Sequence, residues 1–166
     1  WEGLNDGTID MVATDHAPHT REEKEVGWED GWKAHTGTPS AQFYLSLMLD
    51  AAHKGLISYE RAVAVTSAVP AQVFKLDTKG RLEPGADADL VIADLSAQAT
   101  ITNEEVLSKI GWTPYEGVEV RGVPVQTILR GRTIYADNQV TGQPGDGQMA
   151  AAHTSAYLEG RAEKVA

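Results

Sequence analysis

A carboxylate and two imidazoles stand close together near the start of the chain, at Asp15, His16 and His19. Carboxylates bind metal ions and take up protons, and imidazoles bind metal ions, move protons and hydrogen-bond other groups. Pro18 stiffens the turn between the two histidines, so the three side chains could converge on one small ligand. They could equally be a capping aspartate and two histidines at the surface of a loop. The residue types alone leave both interpretations open.

A short apolar segment must position these side chains. Residues 9–13 are too few for a helix and are bounded by Gly7 and Pro18, which favours a mostly buried strand of a parallel sheet. In parallel α/β proteins the chemistry lies at the carboxyl ends of the strands. Asp15 and His16 fall where such a strand would open into its loop, which predicts a site at this end of the strand.

Helical periodicity follows between residues 40 and 76. Apolar residues at positions 41, 44, 45, 48, 49 and 52 predict an amphipathic helix over residues 40–54, which Gly55 stops. Ser58 is the predicted N-cap of a second helix that runs through Val65. Pro70 lies in the first turn of a predicted third helix that ends near Leu76.

After Asp77 the pattern changes from helical periodicity to short apolar runs. The predicted strands cover residues 90–95, 118–120, 125–129 and 133–135. Turns between them are predicted at Gly85, Gly117, Gly122, Gly131 and the Asp137-Asn138 pair, because these residues adopt positive φ readily. A capping box at Thr102 and Glu105 predicts one short helix over about residues 103–110.

The motifs carried by these elements resemble those of a known family. Thr14-Asp15-His16-Ala17-Pro18-His19-Thr20, followed by Glu22-Glu23-Lys24, is similar to the last-strand signature of dihydroorotases, members of the amidohydrolase superfamily of metal-dependent cyclic-amide hydrolases. Gly37-Thr38-Pro39, residues 66–71 and the run at residues 79–91 resemble the same superfamily in the same order. Together the matches cover about 140 of the 166 residues.

The resemblance implies an α/β fold: the carboxyl-terminal part of a (β/α)8 TIM barrel, with part of a small β-sandwich domain. Residues 1–76 would be the last strand and following helices of the barrel, residues 77–142 the carboxyl-terminal half of the sandwich, and residues 143–166 a tail. A complete barrel takes roughly 250 residues. We therefore expect part of a longer enzyme, inactive by itself, with an open sheet edge and an uncovered apolar face.

The resemblance also implies roles for individual residues. Asp15 would bind a metal ion and act as the general base, and His19 would hydrogen-bond the carboxylate of a dihydroorotate-like substrate. Backbone amides near Thr36, Gly37 and Thr38 would assist His19. The cofactor would be a binuclear zinc centre whose other ligands, a His-x-His pair, a modified lysine and two histidines, belong to earlier strands. This sequence contains no His-x-His, so the chain by itself is not expected to hold the centre.

The substrate is less closely defined than the reaction class. Dihydroorotases tend to have a Pro-Phe-Gly stretch where this chain has Thr36-Gly37-Thr38-Pro39-Ser40, which resembles hydantoinases and allantoinases at least as much. The leading expectation is a dihydroorotase, with hydantoinase (dihydropyrimidinase) or allantoinase as the alternative. Two other hypotheses are a non-catalytic scaffold of the same fold and an unrelated β-rich binding module.

Composition limits the partners. The formal charge is −10 and no basic cluster is present, so we expect no nucleic acid. No apolar run reaches the roughly 20 residues of a membrane span, and there is no cysteine for disulfides or a cysteine zinc site. The chain starts at Trp1 without a signal-peptide pattern, and a cytoplasmic location is expected. The resemblance implies a small cyclic amide as the partner and a homo-oligomer, dimer or tetramer, for the complete enzyme.

Residues 20–38 form a long polar loop that carries Trp28 and Trp32. Loops of this length are often functional or mobile, so the tryptophans are interpreted either as a lid that excludes water or as anchors on the barrel rim. His35 and His53 have no partner at a regular spacing and are interpreted as solvated or structural.

Overall fold

The computed structural model describes residues 1–150 and 152. The α-helices are α1 (Glu2–Asp6), α2 (Arg21–Glu25), α3 (Tyr44–His53), α4 (Tyr59–Val63) and α5 (Val69–Val73). Short 3₁₀ turns lie at Val26–Trp28, Gly31–Lys33 and Asn103–Glu105. The predicted amphipathic helix is confirmed as α3, which begins later than expected and is capped at Lys54, before Gly55 in the left-handed region (φ 73°).

The strands are β1 (Leu90–Thr100), β2 (Glu119–Leu129), β3 (Arg132–Ala136) and β4 (Gln139–Val140), and they form a sheet in the order β1-β2-β3-β4. β3 is antiparallel to both β2 and β4. The turns at Arg130-Gly131 and Asp137-Asn138 have positive φ at both residues (46° and 79°, 51° and 57°). Two-residue turns of this kind match the twist of antiparallel strands, so the predictions at Gly131 and at Asp137-Asn138 are confirmed.

The chain divides into two compact units. The first contains Trp1, residues 12–62 and residues 93–124, and the second contains residues 2–11, 63–92 and those from 125 onward. In the first unit Phe43, Ile101 and Val120 form a buried cluster, against which Leu47, Ala99, Val106 and Tyr115 pack. The boundaries expected at residues 76 and 142 stay predictions, and the proposed tail lies mostly outside the described residues.

The strand predicted at residues 9–13 is wrong for this structure. These residues have no assigned secondary structure, and Ile9 is 48% exposed. A strand is stabilised by neighbours that satisfy its backbone groups and cover its side chains. In the part of the chain that the structure describes, no assigned strand lies beside residues 9–13, so the segment stays irregular.

Two helix predictions also differ from the structure. The second and third predicted helices are not separated, because a π-helical turn at Ala64–Ala68 connects α4 to α5. The Val69 amide donates to the Ala64 carbonyl there, and this wider turn lets the helix continue into Pro70, which has no N–H to donate. The helix predicted at residues 103–110 is only a 3₁₀ turn. The Gln42 side chain donates to the Glu105 carbonyl (2.6 Å) and accepts from the Leu107 amide (2.9 Å), replacing helical bonds.

Gly122 was predicted as a connection between strands, but it lies inside β2 with φ at 100°. A Cβ at this position would lie 2.6 Å from the Leu49 Cβ of α3. We therefore expect Gly122→Ala to lower the free energy of unfolding by about 2–4 kcal/mol, through backbone strain and overpacking together. Urea denaturation measures this loss.

Gly117→Ala is the matched control. Gly117 also has positive φ (78°), but no atom lies within 4 Å of the position its Cβ would take. Its loss should therefore be about 1 kcal/mol, from backbone strain alone. Equal losses in the two variants would contradict a steric role for Leu49.

Candidate functional site

Asp15 has an unusual backbone conformation, with φ at 45°. The left-handed region is strained for residues with a side chain, although Asp and Asn tolerate it better than most, and such strain clusters at functional sites. The side chain is exposed. Within residues 1–150 and 152 the Asp15 carboxylate has no hydrogen-bond or ion-pair partner. The carboxylate is therefore held at a loop and available to a ligand.

The loop at residues 36–38 packs directly on the Asp15 loop. The Ala17 amide donates to the Thr38 carbonyl (3.1 Å), as part of a parallel bridge between His16 and Thr38. Gly37 has φ at 84°, and a Cβ there would lie 2.4 Å from the Ala17 Cβ and 3.1 Å from the Asp15 carbonyl oxygen. Glycine is thus required for this approach. The structure brings predicted residues Asp15, Gly37 and Thr38 together, next to Thr36.

His16 has a structural task in this arrangement. Its Nδ1 accepts hydrogen bonds from the backbone amides of Ser40 (3.1 Å) and Ala41 (3.2 Å). These two bonds attach the segment before α3 to the residue that follows Asp15. Since Nδ1 is occupied as an acceptor, His16 contributes to the site mainly by holding the loop.

His19 is held from two sides. Its Nδ1 lies 3.4 Å from the Glu23 carboxylate, and its ring stacks on the His35 ring with centroids 4.6 Å apart. Glu23 also accepts a hydrogen bond from the Thr20 amide (2.8 Å), which caps α2. This bond to Thr20, with a smaller contribution from His19, lowers the pKa of the Glu23 carboxyl. Glu23 is therefore an anion that orients the His19 ring through Nδ1.

Three residues that contact the site were missed in the sequence. His35 was interpreted as solvated or structural, and the structure shows its ring stacked on His19. The Trp112 Nε1 donates to the His19 carbonyl (2.9 Å) across 93 residues of sequence, with the Arg21 guanidinium over its ring. Lys24 donates to the carbonyls of the 35–37 loop. The Glu22-Glu23-Lys24 motif was a signal for Lys24, but no local pattern indicated Trp112.

Tyr44 of α3 supports the segment in front of Asp15. Its hydroxyl donates to the Val12 carbonyl (2.7 Å). Burial raises the pKa of the Tyr44 phenol, so it remains a protonated donor at neutral pH. The Tyr44 side chain therefore holds the backbone that leads into Asp15, even though residues 9–13 form no strand.

Few of the described side chains are placed to bind a metal ion together. Among residues 1–150 and 152, no three histidine, aspartate or glutamate side chains are close enough to hold a metal ion. Catalytic zinc sites normally use three protein ligands, so Asp15 by itself does not make one. Asp15 fits the role of a single ligand, because its carboxylate is exposed and has no partner among the described residues.

The loop tryptophans do not anchor to the rest of this chain. Trp28 is 90% exposed and Trp32 is 99% exposed, on the two 3₁₀ turns that follow α2. The anchor interpretation is therefore not seen in this structure, and the lid interpretation stays a prediction. Among the described residues no helix is long and apolar enough to cross a membrane.

Comparison with known proteins places these residues in a family context. A family model described as the amidohydrolase family matches residues 1–134. The chain is 46% identical to a dihydroorotase of Halobacterium salinarum over 145 residues, which are 87% of this chain and 33% of that protein. It is 42% identical to a dihydroorotase of Pyrococcus horikoshii over 144 residues, 87% of this chain and 32% of that protein.

A hydantoinase is similar in both sequence and structure. The chain is 38% identical to an L-hydantoinase of Paenarthrobacter aurescens over 150 residues, 89% of this chain and 33% of that protein. The solved L-hydantoinase (dihydropyrimidinase) from Arthrobacter aurescens superposes with a TM-score of 0.84 at 38% identity, over 89% of this chain and 33% of that one. The chain thus spans about a third of the length of these relatives.

Proposed function

Because this chain belongs to the amidohydrolase family, we propose that the complete enzyme hydrolyses the C–N bond of a cyclic amide, as a dihydroorotase that interconverts dihydroorotate and N-carbamoyl-aspartate in pyrimidine synthesis. Several dihydroorotases, at 36–46% identity, support this proposal. The structural observation that carries it is the fixed placement of His19 and the 36–38 loop beside Asp15.

Asp15 is assigned the double role of metal ligand and general base. The chemistry that a metal ion supplies in such enzymes is activation of the attacking water near neutral pH. What Asp15 adds is a carboxylate that can take the proton of that water and later return it to the leaving nitrogen. Its exposure and lack of a partner among the described residues suit that role. We assign the metal as a binuclear zinc centre whose other ligands come from parts of the enzyme outside this chain.

The substrate carboxylate is assigned to His19 and the loop at Thr36, Gly37 and Thr38. Among the described residues no partner is found for the backbone amides of Thr36 and Gly37. Glu23 lies at Nδ1 of His19, and Nε2 would bond the substrate carboxylate as an N–H donor, so both ring nitrogens act as donors in this arrangement. Charge-assisted hydrogen bonds of this kind are the strong ones, because the acceptor is ionised.

A hydantoinase or dihydropyrimidinase is the alternative function, and allantoinase a further one. The hydantoinase alternative is favoured by the L-hydantoinase relative and by the solved hydantoinases, one of which is a D-hydantoinase with a TM-score of 0.84 at 30% identity. The Thr36-Gly37-Thr38-Pro39-Ser40 segment points the same way. These enzymes share the reaction type, so the alternative changes the ring and not the role of Asp15.

We also assign the parts of the fold. Residues 1–76 are the end of the TIM barrel, residues 77–142 half of the β-sandwich domain, and residues 143–166 a tail. Three apolar side chains of β1, Val91, Ile92 and Leu95, are 45–48% exposed, and we propose that the other strands of the sandwich cover them in the complete enzyme. The complete enzyme is proposed to be a cytoplasmic homo-oligomer, dimer or tetramer.

The test is a substrate profile of the complete enzyme. Dihydroorotate, dihydrouracil (the same ring without the carboxylate) and a 5-substituted hydantoin are compared by kcat/KM. We expect dihydroorotate to be preferred by about tenfold or more, since a desolvated carboxylate with charge-assisted partners contributes about 1.5–3 kcal/mol. Preference for an uncharged ring would support the hydantoinase alternative. Hydrolysis of none of the rings would support the non-catalytic scaffold.

A further inference from the structure

Lys24 connects α2 to the loop that is proposed to bind the substrate carboxylate. Its Nζ donates to the Gly37 carbonyl (2.9 Å) and to the His35 carbonyl. These two carbonyls lie on either side of Thr36 in the chain. An ammonium group donates up to three charge-assisted hydrogen bonds, so Lys24 can hold both peptide groups at once.

The two bonds determine where the neighbouring amides point. No peptide bond in the described residues is cis, and in a trans peptide the N–H points opposite to the C=O of the same group. When the carbonyls of His35 and Gly37 face Lys24, the amides of Thr36 and Thr38 face away from it. Thr38 then meets the Asp15 loop through its bridge with His16. The Thr36 amide has no partner among the described residues and is available to a ligand.

The other end of α2 holds His19. Thr20 is the N-cap of α2, and the Glu23 amide donates to its hydroxyl (3.2 Å) while Glu23 accepts from the Thr20 amide. Glu23 also lies beside the His19 Nδ1. The short capped helix α2 therefore positions two residues of the site: His19, which precedes the helix, and Lys24, which lies in its last turn. His35, whose carbonyl accepts from Lys24, also stacks its side chain on His19, so the two parts of the site contact each other directly.

We propose that Lys24 is a positioning residue that orients the Thr36 amide for the substrate carboxylate, and that it thereby determines the preference for a ring that carries a carboxylate. This inference rests on the proposed function. Lys24 acts through the carbonyls of His35 and Gly37 and touches no reacting atom. Its loss should weaken binding of the carboxylate and leave the chemical step at Asp15 nearly unchanged.

The experiment compares Lys24→Met and Lys24→Arg in the complete enzyme, with dihydroorotate and dihydrouracil as substrates. For Lys24→Met we expect KM for dihydroorotate to rise by about ten- to thirtyfold, because the loop loses two charge-assisted bonds, with kcat within about threefold of wild type. Activity on dihydrouracil should change by less than about twofold, since that ring makes no carboxylate contact. Lys24→Arg keeps the donors and should restore KM to within about fivefold of wild type.

Lys33→Met is the matched control. Lys33 is nine residues further along the same loop, its side chain is 74% exposed, and its Nζ pairs with Asp30 at 3.5 Å. The Lys33→Met substitution removes the same charge from the same segment, but it leaves the hydrogen bonds to the His35 and Gly37 carbonyls in place. We expect KM for dihydroorotate to stay within about twofold of wild type, as for most exposed pairs.

Two outcomes separate this inference from the proposed function. An unchanged KM in Lys24→Met, or an equal loss of kcat on both rings, would overturn the role of Lys24 while dihydroorotate remained the preferred wild-type substrate. A wild-type enzyme that used dihydrouracil as well as dihydroorotate would overturn the proposed function first. If Lys24→Met does not fold, as judged by its melting temperature, Lys24→Gln is held to the same KM criterion.

Discussion

Asp15→Asn is expected to lower kcat of the complete enzyme by about 10²- to 10⁴-fold, the usual contribution of a general base. The amide has the shape of the carboxylate but cannot accept the proton of the attacking water. The fold should persist, because the Asp15 carboxylate has no partner among the described residues and Asn also tolerates the positive φ of this position. Steady-state kinetics and the melting temperature measure the two effects separately.

Asp10→Asn is the control for this prediction. Asp10 is an exposed carboxylate five residues before Asp15, and the same chemical change there should leave kcat unaltered. If Asp15→Asn kept more than about a tenth of the wild-type kcat, the loss would be smaller than general-base catalysis requires. Asp15 would then lose its catalytic role.

His19→Ala should lower kcat/KM for dihydroorotate by about ten- to a hundredfold, which corresponds to about 1.5–3 kcal/mol for a lost hydrogen bond to a charged group. The His19 ring is oriented by Glu23 and His35, so the free imidazole edge is fixed before substrate arrives. A 5-substituted hydantoin has no carboxylate, and any residual activity on it should be almost unaffected. Both substrates are assayed side by side on the variant and the wild type.

His53→Ala serves as the comparison, because His53 is an exposed histidine of α3 whose Nε2 lies 3.2 Å from Arg121 and not in the candidate site. It should leave the ratio of the two activities unchanged. An equal loss of both activities in His19→Ala would remove the carboxylate role from His19. The hydantoinase alternative would then replace the dihydroorotase assignment.

Local patterns in the sequence were sufficient to predict several features of the structure. The apolar stripe of α3 and its stop before Gly55 depend on a spacing of three and four residues, and the turns at Gly131 and Asp137-Asn138 depend on residues that accept positive φ. The motif from Thr14 to Thr20 was sufficient to indicate the family and the candidate roles of Asp15 and His19. All of these signals lie within a few neighbouring residues.

Features that depend on distant neighbours were decided by tertiary structure. The predicted strand at residues 9–13 has no paired strand among the described residues, and Gln42 satisfies the backbone groups that a helix at residues 103–110 would have bonded internally. Lys24 reaches carbonyls 11 and 13 residues away, and Trp112 holds His19 across 93 residues. Periodicity reports which face of an element is apolar, but the partner of a polar group depends on how the elements pack. The sequence therefore identified the candidate site residues, and only the packing determined which side chains hold them in place.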